Sequence, residues 1–237
     1  MASSLTNPTA TNTTATTTTA REPVTRARAI QAAVTLADTD GIESLSMRKL
    51  ARDLGVEAMS LYYHVKSKDE ILDGMIESVI EEMALPAADA EWKSALRDRA
   101  ESARRVLGRH PWAISMVDER TTPTTMRHLD AVIGCLRHAG FSLALAAHAM
   151  SLLDSYVHGF ALQEASLPLD ESGDIGATTE DILAQQGMTA AFPHLAEMGV
   201  ELILQPGYAY GNEFAFGLRL ILDGLEAAFT AEAQTRA

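Results

Sequence analysis

Within "SLYYHVKSK", residues 60–68, two phenols, an imidazole and two ammonium groups follow one another, and Arg48 and Lys49 stand a little upstream. Tyr, His, Lys and Ser side chains donate hydrogen bonds to phosphate oxygens, and a duplex major groove accepts one α-helix whose side chains reach base edges. None of these residues has the spacing of a nucleophile with its base, or of a metal set, so the chemistry they suit is recognition of an anion. Lys66, Lys68, Arg48 and Lys49 surround the face that Ala58, Met59, Ser60, Tyr62, Tyr63 and His64 form if Leu61 and Val65 point inward. The alternative is a small helical hairpin in which Tyr62 and Tyr63 are half-buried core.

Short elements must hold that face. From Thr25, Ala29, Ile30, Ala33, Val34 and Ala37 recur at helical spacing, and "DTDG" at 38–41 predicts a stop. Ser46 caps a second helix through Leu54, with Met47, Leu50, Ala51 and Leu54 on one side. Gly55 ends it, and small Ala51 lets a third helix, expected over 57–64, cross closely. Ser67 and Glu70 have the spacing of a capping box opening a fourth helix to Met83.

Charge supports a division of labour. The chain of 237 residues carries a formal charge of −13, which argues against a protein that coats nucleic acid indiscriminately. Residues 21–68 hold eight Lys and Arg against six Asp and Glu, whereas 69–237 hold eleven against twenty-six. A local anion-binding face on an acidic body is the consequence. The Thr- and Ala-rich residues 1–20 have too little apolar bulk to order themselves and are expected to form a disordered tail. Cys135 is the single cysteine, which excludes an intramolecular disulfide. No apolar run suits a membrane span, and a cytoplasmic location with no membrane partner is expected.

Beyond Pro86 the pattern stays helical: Trp92 to Gly108, then Thr122-Pro123 to about Gly140, then a long apolar run over 140–167. An exposed loop is expected over 168–178, shorter helices over 179–186 and 188–198, and a closing helix from Asn212 to about Ala231. His148, Asp154, Ser155, Tyr156, His158 and Gln163 interrupt the long run, and polar groups inside a helical core need partners that a ligand cavity can supply. An enzyme using such a cavity, with His and Asp as acid and base, is the rival reading; no nucleophile, metal cluster or phosphate loop stands at a specific spacing to support it.

"SMRKLARDLGVEAMSLYYHVKSKDEILDGM", residues 46–75, closely resembles the DNA-binding segment of the tetracycline-repressor family, whose motif ends L-Y-x-H-V/F-x-x-K, here Leu61, Tyr62, His64, Val65 and Lys68. "HAGFSLALAAHAMSLLDSYVHGFALQE" resembles the long helix of that family's C-terminal domain. The resemblance implies an all-α protein of nine or ten helices: a helix-turn-helix domain over 21–67, of three helices, and a larger ligand-binding and dimerisation domain over 68–237. It implies a transcriptional repressor that binds a palindromic double-stranded DNA operator as a homodimer and is released by a small-molecule effector, with no enzymatic activity and no cofactor. By position, base and phosphate contacts fall on Arg48, Lys49, Ala58, Met59, Ser60, Tyr62, Tyr63, His64 and Lys68. Ala58 and Met59 depart from the polar or proline residues of the tetracycline repressor itself, which points to another operator. The family's metal-binding histidine position falls on Met116, whose thioether does not suit Mg²⁺, so no metal site is assigned. Ligand contacts are expected from Met116, His148, Tyr156, Gln163 and Glu164.

Overall fold

A computed structural model describes residues 23–169, 175–185 and 187–236, and within them all regular structure is helical. The expected disordered tail, 1–20, lies outside the described residues. Eleven α-helical elements occur among the described residues, slightly more than expected, because the predicted 188–198 helix is broken in two.

The head consists of α1 (Arg26–Asp40), α2 (Met47–Leu54) and α3 (Ala58–Leu61). Thr25 Oγ1 accepts from Arg28 N at 3.1 Å and caps α1, and Ser46 Oγ accepts from Lys49 N at 3.2 Å and caps α2. Gly55 sits in the left-handed region at φ 67°, and the Val56 N–H turns back to Ala51 O at 2.9 Å, so the chain reverses tightly over the small Ala51. Leu50, Ala51, Leu54, Leu61 and Val65 are buried against Ala29, Ala33 and Val34 in one core.

α3 is shorter than the pattern suggested. It ends at Leu61, and Tyr62 to His64 form turns that still return N–H bonds to Ser60 O and Leu61 O. The next helix, α4 (Lys68–Glu81), explains the early exit. Ser67 Oγ caps it through Glu70 N at 3.1 Å, but the Glu70 carboxylate reaches Lys66 N at 2.8 Å, not the N-cap N–H of the expected reciprocal box. Glu70 also accepts from Arg26 Nε at 3.1 Å, tying α4 to α1. These bonds, with the Lys66 N–H bond first and Arg26 next, hold the Glu70 carboxyl below the usual range. α4 crosses α1 closely at Gly74, where a Cβ would lie 2.4 Å from Ile30 Cδ1.

The body comprises α5 (Trp92–Arg109), α6 (Pro123–His138), α7 (Leu143–Ser166), α8 (Gly176–Ala184), α9 (Met188–Ala191), α10 (Pro193–Met198) and α11 (Gly211–Arg236). α8 begins inside the stretch expected to be loop, and Phe192-Pro193 divides α9 from α10, since proline cannot supply the N–H that would continue the helix. α7 is the central element and packs against α5, α6 and α11. Trp92, Phe141 and Phe229 lock α5, the α6–α7 connection and α11 together, with Phe141 and Phe229 stacked at 4.4 Å. No helix of the described residues is long and apolar enough to cross a membrane.

Among the polar contacts that join α1 and α4 to the body, two involve the segment between α5 and α6. Asp38, near the end of α1, accepts from His110 Nδ1 at 2.8 Å and Trp112 Nε1 at 2.6 Å. Arg120, in the segment before α6, donates to Asp73 of α4 at 2.6 Å and reaches Asp69 at 3.5 Å.

Candidate nucleic-acid interface and ligand cavity

Residues 58–65 are divided by the helix and its following turn into two sets. Leu61 and Val65 are fully buried, whereas Met59 is 74% exposed, Tyr62 43% and Tyr63 88%; Ser60 and His64 are also exposed. Large apolar and aromatic side chains standing in water on a four-residue helix and its following turn gain nothing from burial, so their placement calls for a partner outside the head. Arg48, at the start of α2, Lys66 and Lys68 are exposed, and Ala58 is half-buried against the core. Lys49 is half-buried, with its ammonium 2.6 Å from Asp40, so a phosphate there would compete with that carboxylate. The nine residues expected to meet DNA therefore fall on the α2 start, α3, its turn and the α4 start, with Lys49 the most engaged.

The body contains a cavity of about 160 Å³, lined by Ile80 of α4, by Met83 just after it and by residues of α5, α6, α7 and the 117–121 segment. Its walls are mostly apolar, from Leu96, Ala100 and Ala103 on α5, Leu129 and Val132 on α6, and Met150, Leu153 and Val157 on α7. Its polar groups are Arg99, Arg120, His128, Asp154, His158 and Asp118, with Thr121 and Thr125. His158 Nδ1 donates to Asp118 Oδ2 at 3.2 Å across the cavity edge. Arg99 donates to His128 Nδ1 at 3.4 Å. Burial, followed by the positive charge of Arg99, pushes the His128 pKa down to about 4, so this ring is neutral near pH 7. Burial pushes the Asp154 carboxyl above the ordinary carboxylate range, although Arg99 opposes the shift.

None of the five residues expected to touch ligand lines this cavity. Met116 packs half-buried against the core, beside a wall that begins at Val117. His148 and Gln163 lie on the exposed side of α7. Tyr156 faces α11 and donates its hydroxyl proton to Phe214 O at 3.0 Å. Glu164 accepts from Arg104 at 2.5 and 2.9 Å, and that guanidinium also lies over the Phe160 and Phe214 rings. The helix periodicity is the reason: one α7 stripe, Met150, Leu153, Asp154, Val157 and His158, faces the cavity, and the expected residues sit on other stripes. Asp154 and His158, two of the interruptions noted in the long apolar run, are the ones turned inward.

Sequence reasoning missed Arg99 and His128. Arg99 sits in the charged run "RDRAESARR", which reads as a solvated face, yet it shares a stripe with Leu96, Ala100 and Ala103, and that spacing was the available signal. His128 had no distinguishing neighbour in sequence. Among the described residues no three His, Cys, Asp or Glu side chains converge as a metal set, and Met116 lies outside the cavity, so these residues do not fit a divalent cation.

Two family descriptions match this chain: "Bacterial regulatory proteins, tetR family" over residues 29–75, and "Tetracyclin repressor-like, C-terminal domain" over residues 85–229. The HTH-type transcriptional repressor DrrR1 of Streptomyces coeruleorubidus is 32% identical over 213 residues, covering 86% of this chain and 77% of that one. The class A tetracycline repressor from transposon 1721 of Escherichia coli is 31% identical over 200 residues, covering 83% and 88%. The crystal structure of the Streptomyces coelicolor TetR family protein ActR in complex with actinorhodin superposes with a TM-score of 0.69 at 27% identity, covering 87% of this chain and 99% of that one.

Proposed function

The chain belongs to the tetracycline-repressor family of bacterial regulators, and from that premise we propose that it is a homodimeric, ligand-responsive repressor gripping a palindromic operator with two copies of α3. The observation that carries the DNA-reading half is the split across residues 58–65, with Leu61 and Val65 sealed and Met59, Tyr62, Tyr63 and His64 turned out. Arg48, Ala58, Met59 and Ser60 stand where base edges would pass. Lys49, Tyr62, Tyr63, His64 and Lys68 stand where the backbone would pass. Met59 offers an apolar contact suited to a thymine methyl.

Apolar surface that one subunit leaves wet supports the dimer. Leu143, Leu152 and Leu162 on α7 and Phe216 and Leu220 on α11 are exposed. A two-fold pairing would set the two α3 helices about 34–36 Å apart, one turn of duplex.

The cavity is the effector site of this reading, and the similar ActR was crystallised in complex with actinorhodin. We read it as a binding site; Thr125, its buried hydroxyl, is engaged in capping α6 and is not free to act as a nucleophile. Arg120 borders the cavity and is ion-paired to Asp73 on α4, whose first residues follow α3. A ligand that binds better when this segment shifts moves α4 and changes the spacing of the recognition helices. Operator affinity then falls by the ligand's differential affinity, typically about 1–3 kcal/mol.

Fluorescence anisotropy with duplexes taken from upstream of the chain's own gene and its neighbours tests the operator face. Tyr63→Ala is expected to weaken operator binding about tenfold or more, with the dimer mass unchanged by light scattering. Wild-type affinity in this variant would move the interface elsewhere.

A further inference from the structure

We infer that the effector is an anionic cyclic molecule, a carboxylate carried on an apolar ring, and that Arg99 is the residue that holds the carboxylate. The inference rests on reading the cavity as the effector site and adds the chemistry of what enters it.

The argument begins with how arginines are treated elsewhere in the body. Arg104, on the same helix, has Glu164 at 2.5 Å and Gly211 O at 3.2 Å. Arg120 has Asp73 at 2.6 Å. Both are part-buried, and each is supplied with a carboxylate at contact distance. Arg99 is different: it lies on a stripe of buried Leu96, Ala100 and Ala103, and among the described residues no carboxylate comes within ion-pair distance of it. Its hydrogen-bond contact is the neutral His128 ring at 3.4 Å, the long end of the range. Asp154 is near enough to be felt electrostatically but does not pair with it. A guanidinium has five donors in a planar fork, and one long bond leaves that fork largely unused in a setting where water has been reduced.

The remaining walls define the rest of the ligand. Leu96, Val117, Leu129, Val132, Leu153 and Val157 are apolar, and a volume of about 160 Å³ is on the scale of an engineered protein cavity that holds benzene. One ring fits fully, and a second fused ring or the rest of a larger molecule would project past the exposed Asp118 and Thr121. A carboxylate matches the fork in two places at the cost of a single negative charge. A cationic ligand would meet Asp154 but would lie beside Arg99, which nothing neutralises at contact. Burial already pushes the Asp154 carboxyl towards its neutral form, which eases the arrival of a second acid beside it.

Titration calorimetry of the full chain with 1-naphthoate, the uncharged 1-naphthamide and the cationic 1-naphthylmethylamine tests this. Naphthoate is expected to bind at least tenfold tighter than the amide. Arg99→Met should reduce that preference to under threefold, Arg99→Lys should keep part of it, and Met150→Trp, which fills the cavity, should abolish binding of naphthoate. Removing the unpaired cation should also raise the ligand-free melting temperature by ~2–4 °C in Arg99→Met, because a buried charge without a partner costs stability. Equal binding of naphthoate and naphthamide, both lost in Met150→Trp, would overturn the anionic class while leaving the cavity as the effector site. Tightest binding of the amine would overturn it in favour of Asp154. Naphthoate binding that survives Met150→Trp would overturn it by placing the probe elsewhere. No binding of any probe to the wild-type chain would overturn both the inference and the reading beneath it.

Discussion

The proposed operator face and the cavity are assembled from opposite materials. Around α3 the side chains proposed to meet DNA are in water, and their supporting residues, Leu61 and Val65, lie buried in the same short stretch. Around the cavity the functional side chains are themselves buried or half-buried, and Arg99, His128 and Asp154 come from three helices far apart in the chain. Their protonation equilibria are displaced by lost solvent. A partner as large as a duplex can be met by groups that stay hydrated until it arrives. A small molecule has to be met by groups that surrendered their hydration when the chain folded, so strain in stability and pKa accumulates there.

The largest effect that could break this contrast lies under the operator face. α3 has four residues and can scarcely sustain itself by its own backbone bonds, so its position depends on Leu61 and Val65. Leu61→Ala should cost ~2–5 kcal/mol of stability in urea unfolding followed by circular dichroism, with operator binding lost in proportion. A loss below ~1 kcal/mol would mean that the exposed face is held by something other than the core beneath it.

This local dependence is why the head could be read from sequence. Ser46, Gly55 and Ser67 act on neighbours within a few residues, and they cap or end the elements where spacing indicated. The overlong α3 has the same origin turned around: periodicity continued through His64, but the Glu70 carboxylate captures Lys66 N–H from the next helix and starts α4's cap, a contact that a helical pattern does not announce. In the body the long α7 was legible as a predominantly apolar helix, whereas which of its stripes faces a void depended on where α5 and α6 pack. Tyr156 and Glu164 looked like cavity residues until α11 and Arg104 were seen to engage them.

The next effect sharpens the contrast from the cavity side. The His128 pKa is about 4 in the folded chain, against about 6.5 in the unfolded one. The unfolded chain therefore binds the extra proton between these values, so the stabilisation is complete above pH 6.5 and is lost as pH falls towards 4, by roughly 3 kcal/mol if the whole shift is realised. Asp154 acts oppositely: its raised pKa contributes stability at low pH that disappears as pH rises through its folded value. His128→Gln leaves Asp154 in place, so the difference between the two stability profiles isolates the imidazole. The variant's profile should be flatter than wild type between pH 6.5 and 4 in thermal melts. Identical acid limbs would show that the ring is not desolvated, and the contrast between a dry cavity and a wet face would lose its main support.

The smallest effect concerns whether the two regions are independent at all. Arg120 borders the cavity and holds Asp73 on α4 at 2.6 Å, with Asp69 at 3.5 Å. The Arg120 side chain is largely covered, but Asp73 is 47% exposed, so solvent screening leaves only a modest pair energy. A double-mutant cycle of Arg120→Gln and Asp73→Asn should give a coupling of ~0.5–1 kcal/mol in stability. Because the pair tethers α4, and α4 follows α3 through the Ser67 cap, the Arg120→Gln variant should also shift ligand-free operator affinity by about two- to fivefold. Core substitutions beneath α3 act on folding of the head, whereas this one acts on where a folded head sits. A measurable coupling with unchanged operator affinity would confine the ion pair to stability and direct attention to the other joint, Asp38 with His110 and Trp112. Neither coupling nor an affinity change would leave cavity and operator face without a demonstrated connection through α4.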